Sequence, residues 1–443
     1  MVHDLIGKYR RRWRNWAGSV EAVPNFRSYP QSLDQIQAEV LRAAEEGERL
    51  RVGGSGQSFT PLCWTDENLM SLDYFSGIES VDVETQRAWV RSGTTLQTLA
   101  LELSERGLAL DVLGSSGTQT LAGAISTGTH ASGVRFGNMC TQVSALRMVM
   151  ADGSVKVFSA AADKDAFDAA RLSLGALGVI THVELQCVDA YRLRGQSTRS
   201  RLSGTLQRLD SLKNEHRHFE FSWMPYSDTV VLRTMDPTRE PETLGSTSLA
   251  AKQSLIENGA LWAASAMARH LPRRTPAERW LMTRGARNRD GIGEPYRRYE
   301  TRRMVRFIET AYGVPAKHLP DVLAQMSRVI RGLNLAVHMP IEVRFVRADD
   351  IWLSPCYQRD SAMISLSAPK GVPFRPYFDA MSEIFDRYDG RPHWGKLHDK
   401  TSHDFAQLYP RYASFQRLRE TFDPHGVFLN PHLSALMGID RRY

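Results

Sequence analysis

Three separated groups of residues in this chain of 443 have the types and spacing for chemistry. The run 339–347 alternates with period two. That puts Ile341, Val343 and Phe345 on one face of a strand and Glu342, Arg344 and Val346 on the other. An acid and a base two residues apart then point the same way. On a solvent-exposed face that would be routine. As the wall of a site it supplies a hydrogen-bond acceptor and a fixed cation together. The second group is Arg391-Pro-His393-Trp-Gly-Lys396-Leu-His398, where two histidines, a tryptophan and a lysine gather around a glycine. Singly, each is ordinary packing material. Together they read as a loop that brings Lys396 to a ligand.

The third group is built on glycines. Gly53, Gly54 and Gly56 fall within four positions, and Ser55, Gln57, Ser58 and Thr60 accompany them before Pro61. Without Cβ atoms, successive N–H groups can turn inward and form a nest for a diphosphate, and a dinucleotide is the ligand that such a nest suggests. A tight turn between strands is the alternative reading. Asp73 lies near the spacing of a Rossmann ribose-binding acid, but a Rossmann loop must open a helix. Here Pro61 and residues 62–64 lead instead into a second strand at 68–72, so the glycines are expected to join strand to strand. Residues 113–139 are rich in Gly, Ser and Thr yet keep Leu121, Ala122, Ala124 and Ile125 apolar, which a floppy linker would not need. Small hydroxyl residues and free backbone amides at that density suit a phosphate-ribityl chain lying along the backbone. Gly175 and Gly178 would let the backbone approach an adenine, with a buried turn as the equal alternative.

The elements that must hold these groups in place fall into two textures. Up to residue 188 the chain mixes helix and strand. Ser32 and Gln35 form a capping-box pattern before a helix that stops at Gly47, strands follow at 78–83 and 88–91, and a helix runs from Leu96 to before Gly107. Strands 143–150 and 155–158 form a hairpin around Asp152-Gly153, expected as a type I′ turn. Residues 166–172 read as helix and 179–187 as strand. From 189 onward the segments are longer and amphipathic: strands 218–223 and 229–234, a helix over 255–271, a charged exposed connection over 273–300, a strand at 304–311 and a helix over 319–332.

Composition narrows the classes. Lys and Arg number 56 against 49 Asp and Glu, a net charge of +7 with no dense basic block beyond the start, so nucleic-acid binding is not implied. Cys63, Cys140, Cys187 and Cys356 lie far apart without a CxxC pair, which suggests neither a metal site nor a disulfide framework and makes the reducing cytoplasm the expected location. Arg10, Arg11, Arg12 and Arg14 precede no apolar stretch, so the start is read as a solvated basic extension, with weak peripheral attraction to anionic lipid as the second reading. No apolar run reaches the ~20 residues of a membrane-spanning helix, and a soluble protein is expected.

Taken in order, these motifs resemble the sugar-lactone oxidoreductases of the vanillyl-alcohol oxidase flavoprotein superfamily, namely the gulonolactone and arabinonolactone oxidases and dehydrogenases, with alditol oxidases as cousins. The resemblance runs from Asn15-Trp16-Ala-Gly18 to the tail. It rests on the first glycine loop, Gly128-Thr-His-Ala-Ser-Gly133, Gly175-Ala-Leu-Gly178, Glu342-Val-Arg344 and His393-Trp-Gly-Lys396. It implies an α+β fold with a basic extension over 1–14, a two-part FAD-binding domain over 15–188, an antiparallel-sheet cap over 189–388, and a segment 389–443 that returns to the FAD domain. FAD would be held by residues 53–58 and, within 115–133, by Ser115, Ser116, Gly117, Thr120, Gly123, Ser126, Thr127, Gly128, His130 and Gly133, with Val179 and Ile180 near the adenine. Glu342, Arg344 and Lys396 would be catalytic, and Ser367 and His393 would contact substrate. The implied reaction is hydride removal from a CH–OH group of an aldono-1,4-lactone, with oxygen or a quinone or cytochrome as final acceptor. A polyol, a lipid-linked sugar or a secondary-metabolite alcohol is the alternative substrate, and a flavin-binding partner subunit without catalysis is the alternative class. Two positions depart from the pattern. Gln57 stands where many relatives carry a histidine bonded to the flavin, so dissociable FAD is expected. Ser367 stands where relatives often place a substrate-contacting histidine.

Overall fold

The computed structural model describes residues 12–243, 290–299 and 305–439. The helix expected over 255–271, most of the connection over 273–300 and the basic residues 1–11 lie outside them.

After a short antiparallel pair, Trp13–Arg14 with Glu21–Ala22, the first domain has three parallel strands in the order Phe26–Ser28, Asn68–Met70, Leu50–Val52. Helix Leu33–Glu45 makes the crossover between the first and last of these, burying Ile36, Val40 and Ala43. The Ser32 side chain accepts from the Gln35 N–H as expected, but the Gln35 side chain accepts from Gln31 rather than Ser32, so only half of the capping box forms. Strands Leu50–Val52 and Asn68–Met70 are parallel neighbours joined without a helix. Residues 53–67 must therefore swing across the end of the sheet, which puts the glycines at its rim.

A five-stranded antiparallel sheet follows, in the order Val155–Ser159, Val143–Val149, Val179–Gln186, Arg87–Arg91, Ile78–Asp82. Its hairpin differs from the expected turn type. Gly153 has φ 75° but Asp152 does not enter the left-handed region, and the Gly153 N–H bonds to the Met150 carbonyl at 2.9 Å. A single glycine reversing the chain after an ordinary turn replaces the type I′ pair, because the loop spans five residues rather than two.

The cap is an eight-stranded antiparallel sheet in the order Gly291–Gly293, Arg192–Arg201, Thr229–Thr238, His218–Trp223, Ile341–Val346, Ser361–Pro369, Phe307–Pro315, Arg391–Pro392. Ile341, Val343 and Phe345 are at most 1% exposed and pack with Phe219, Phe221 and Ile364 under helices Leu319–Gly332 and Arg375–Asp386. Each such side chain contributes roughly 1.5–3 kcal/mol by burial, which fixes the strand's register and so turns Glu342 and Arg344 the other way. The described end of the 273–300 connection is not simply exposed. Gly291–Gly293 extends the sheet, and Tyr299 is buried with its hydroxyl 2.6 Å from His218 Nε2.

After Arg391–Pro392 the chain leaves the cap. Trp394, Phe405, Tyr412, Phe415 and Leu433 join the same core as Leu121, Leu146 and Leu185 of the first domain. A second seam ties the domains directly. The Gly133 N–H bonds to the Phe345 carbonyl at 2.7 Å, the Phe345 N–H to Ser132 Oγ at 3.0 Å, and the Arg347 N–H to the Phe136 carbonyl at 2.8 Å. Among the described residues, no helix is long and apolar enough to cross a membrane, and no cluster of three metal-ligating side chains occurs.

Candidate active site

A cavity of about 630 Å³ lies where the first domain, the cap and the C-terminal segment meet. The first domain lines it with Gly54, Ser55, Gly56, Gln57 and Ser58 from one loop, and with Ser115, Ser116, Gly117, Thr120, Gly123, Thr127 and His130 from the second. The cap adds Phe307, Glu309, Glu342, Arg344 and Ser365, and the C-terminal segment adds His393, Gly395 and Lys396. A smaller cavity of about 100 Å³ shares Gly54, Ser58, Thr120, Gly123 and Thr127 with it and adds Gly53, Ser126, Ile180 and Arg51.

Four expected site residues stand outside these walls. At Gly128 (φ 72°) a Cβ would come 2.9 Å from Leu172, so this glycine serves the turn. Gly133 belongs to the seam between domains. Val179 is 1% exposed and packs with Ile36 and Val40, while its neighbour Ile180 faces the smaller cavity. Ser367 pairs with Glu309 across the sheet, but the residue of its strand that reaches the main cavity wall is Ser365, opposite Glu342.

The two loops of the first domain make a cradle that side chains would fill. A Cβ on Gly54 would sit 2.4 Å from Thr120 Oγ1, the oxygen that caps helix Leu121–Ser126 through the Gly123 N–H. Gly56 has φ 65°. Gln57 Nε2 donates to Thr118 Oγ1 at 3.2 Å, and Ser116 Oγ lies 3.0 Å from the same hydroxyl, so the loops are laced together by small polar groups. No acid from the first domain lines either cavity; Glu309 and Glu342 both come from the cap. Backbone amides and hydroxyls without a lining carboxylate suit a dinucleotide diphosphate, and FAD fits this donor set. Gly54→Ala is expected to weaken FAD retention about tenfold or more, since relieving the contact means displacing the Thr120 cap at a cost of ~1–3 kcal/mol. The ratio of flavin to protein absorbance after gel filtration measures this, with circular dichroism confirming the fold.

Opposite the cradle is a network of charge. Arg344 donates from Nε to Glu220 at 2.8 Å and from Nη2 to Glu342 at 3.1 Å, and Glu220 also accepts from Arg233 at 3.0 Å. Burial alone would push the Glu220 carboxyl up, but Arg344 and Arg233 outweigh it and hold the group below its ordinary value. Burial likewise disfavours the Arg344 charge, and Glu220 and Glu342 more than restore it. Lys396 is paired with Glu309, and its ammonium lies 4.8 Å from the centre of the Phe59 ring. Two histidines complete the wall with rings 5.9 Å apart. Burial, helped by Arg344, lowers His130 to about 4, and burial with Lys396 takes His393 well below its ordinary value. Both are neutral at pH 7. The His393 Nδ1 accepts the Gly395 N–H at 3.1 Å, so its proton resides on Nε2. The site thus offers two fixed cations, two carboxylates and two neutral imidazoles.

Glu309, Ser365, Glu220 and an aromatic wall were not anticipated from the sequence. In that wall the Phe307 ring meets Trp16 at 5.1 Å and Phe59 at 5.7 Å. Period two along Phe307–Pro315, which places Phe307, Glu309 and Ala311 on the cavity side, was the available signal for Glu309.

The first domain matches a known class. Residues 24–159 correspond to the FAD binding domain family. The whole fold is like that of a mutant of the Brevibacterium sterolicum cholesterol oxidase, with TM-score 0.82 and 16% identity over 98% of each chain. The protein is an FAD-dependent oxidoreductase of this two-domain architecture. Residues 183–436 match the family described as D-arabinono-1,4-lactone oxidase. The chain is 36% identical to the L-gulono-1,4-lactone dehydrogenase of Mycobacterium tuberculosis, covering 96% of this chain and 99% of that one. It is 32% identical to the L-gulonolactone oxidase of Mus musculus over 98% and 100% of the two chains, and 30% identical to a Streptomyces alditol oxidase over 96% and 98%. The chain belongs to the D-arabinono-1,4-lactone oxidase family.

Proposed function

We propose that the protein oxidises a CH–OH group of an aldono-1,4-lactone, using FAD held without a covalent bond. The observation that carries this is the meeting, in one cavity, of an acid-free Gly/Ser/Thr cradle with a cap wall in which Arg344 is pinned by Glu220 and Glu342. Bound FAD supplies the hydride acceptor. Arg344 and Lys396 are preorganised cations that stabilise negative charge as it develops during the transfer, an effect of a few kcal/mol when water is excluded. Glu342 accepts a hydrogen bond from a substrate hydroxyl and orients the carbinol. The neutral His393 donates from Nε2 without adding charge, and the aromatic wall covers the apolar face of a sugar ring.

The test is anaerobic mixing with a panel of aldonolactones and polyols while the visible flavin band is followed. Bleaching by a lactone is the expected result, and the speed of recolouring in air separates an oxidase from a dehydrogenase that uses a quinone or cytochrome. A flavin that dithionite reduces but no lactone bleaches would refute the substrate class. Because the Gln57 amide cannot bond to the flavin, acid precipitation is expected to leave all yellow colour in the supernatant. Colour in the pellet would assign a covalent link to another residue.

A further inference from the structure

Arg51 is a buried cation for which the chemistry above has no use. It is 3% exposed, sits in strand Leu50–Val52 and lines the smaller cavity. Its Nε donates to the Leu62 carbonyl at 3.0 Å, Nη1 to the carbonyls of Gly175 at 2.9 Å and Phe428, and Nη2 to the Leu174 carbonyl at 2.9 Å. Four of the five guanidinium N–H groups are thereby used. They join three distant pieces of chain: the end of the glycine loop, the turn before strand Val179–Gln186, and the C-terminal segment.

Carbonyl oxygens satisfy donors but carry no formal charge. Among the described residues, no carboxylate forms an ion pair with Arg51. The acid whose field reaches it, Asp423, accepts the N–H groups of Val427 at 2.8 Å and Phe428 at 2.9 Å. Burial accordingly pushes the guanidinium down to about 10. A desolvated charge without an ionic partner carries a penalty of several kcal/mol that carbonyls only partly offset, and an anion reaching the cavity would lower it. Among the described residues, the cavity that Arg51 lines holds Gly53, Gly54 and Ser58 and no acid.

We propose that Arg51 is a recognition residue for the cofactor's diphosphate. The anion is the counter-charge of this buried guanidinium, and its arrival stabilises the three segments that the guanidinium already staples. The inference rests on the assignment of dissociable FAD to this cradle. It predicts that the protein discriminates among adenine compounds by diphosphate charge.

The experiment displaces FAD from the full-length holoprotein with ADP or with adenosine and reads the fluorescence of released flavin. Wild-type protein should prefer ADP. In Arg51→Gln, FAD should dissociate at least ~10-fold more readily, and the preference for ADP should fall to within about twofold of adenosine, since a charge-assisted contact to phosphate is lost. Arg51→Lys keeps the charge and loses the four-carbonyl fork, so it should retain the ADP preference while its thermal midpoint drops. Undiminished ADP preference in a folded Arg51→Gln protein overturns the proposal. So does loss of that preference in a folded Arg51→Lys protein, which keeps the test decisive where the glutamine variant does not fold. Wild-type protein that holds no flavin would refute the cofactor assignment itself, a distinguishable failure.

Discussion

Arg344→Ala will keep its FAD and lose at least ~100-fold in the rate at which substrate reduces the flavin, because oxyanion-type stabilisation by one fixed donor is worth a few kcal/mol. The geometry makes the effect larger than loss of one cation. Arg344 bridges Glu220 and Glu342, so its removal leaves Glu220 with Arg233 alone and takes the Nη2 bond from Glu342. Losing one of the two cations that hold Glu220 weakens its compensation, so the thermal midpoint should fall as well. Arg344→Lys separates the two consequences. It restores a charge near Glu220 and recovers stability, but it cannot reproduce the two-pronged fork, so reduction should stay slow. Anaerobic stopped-flow absorbance gives the rates. An alanine variant with wild-type reduction kinetics would remove Arg344 from the chemistry.

Stability should fall steeply on mild acidification, between pH 6.5 and about 4. His130 and His218 are buried and neutral, each pushed by burial to about 4. His432 is lowered to about 4 and His398 to about 3, both chiefly by burial. Above pH 6.5 both the folded and unfolded chains carry these groups neutral, so they contribute nothing. Below it the unfolded chain takes up protons that the folded chain refuses, and each group withdraws ~1.4 kcal/mol per pH unit until its folded value is reached. His130 and His218 alone would remove about 4 kcal/mol by pH 5, a large part of a typical stability of ~5–15 kcal/mol. Asp349 works the other way. Burial raises its carboxyl to about 6, so the folded state binds that proton more tightly between pH 6 and 3.8 and offsets about one histidine. Urea midpoints at pH 7, 6 and 5 should therefore decline, with a shallower slope in His218→Asn. A midpoint flat from pH 7 to 5 would contradict the buried neutral state of these rings.

What was legible in the sequence was whatever local spacing decides. Helix Leu319–Gly332 and the inward and outward faces of Ile341–Val346 follow from periodicity, and Pro61 excluded a helix after the glycine loop. What was not legible depends on which strands become neighbours. Glu220 reaches Arg344 only because His218–Trp223 pairs with Ile341–Val346, placing the two residues directly opposite each other from 124 positions apart. Ser365 lines the cavity because the register sets it against Glu342, while Ser367, two residues along the same face, pairs with Glu309. Val179 and Ile180 are consecutive in a strand and point to opposite faces, so Ile180 faces the smaller cavity while Val179 packs into the core.

The seam at residues 132–136 has a consequence for modularity. Strand Ile341–Val346 carries Glu342 and Arg344 and is bonded through Phe345 and Arg347 to the loop that ends the second glycine-rich stretch. The C-terminal helices of the region 183–436 complete the first domain's core rather than the cap's. The two matched regions are therefore not interchangeable cassettes. A chimera that imports a relative's residues 189–388 to acquire its substrate preference must import the matching 132–136 loop too, or it will lose the alignment between the cradle and the cap wall.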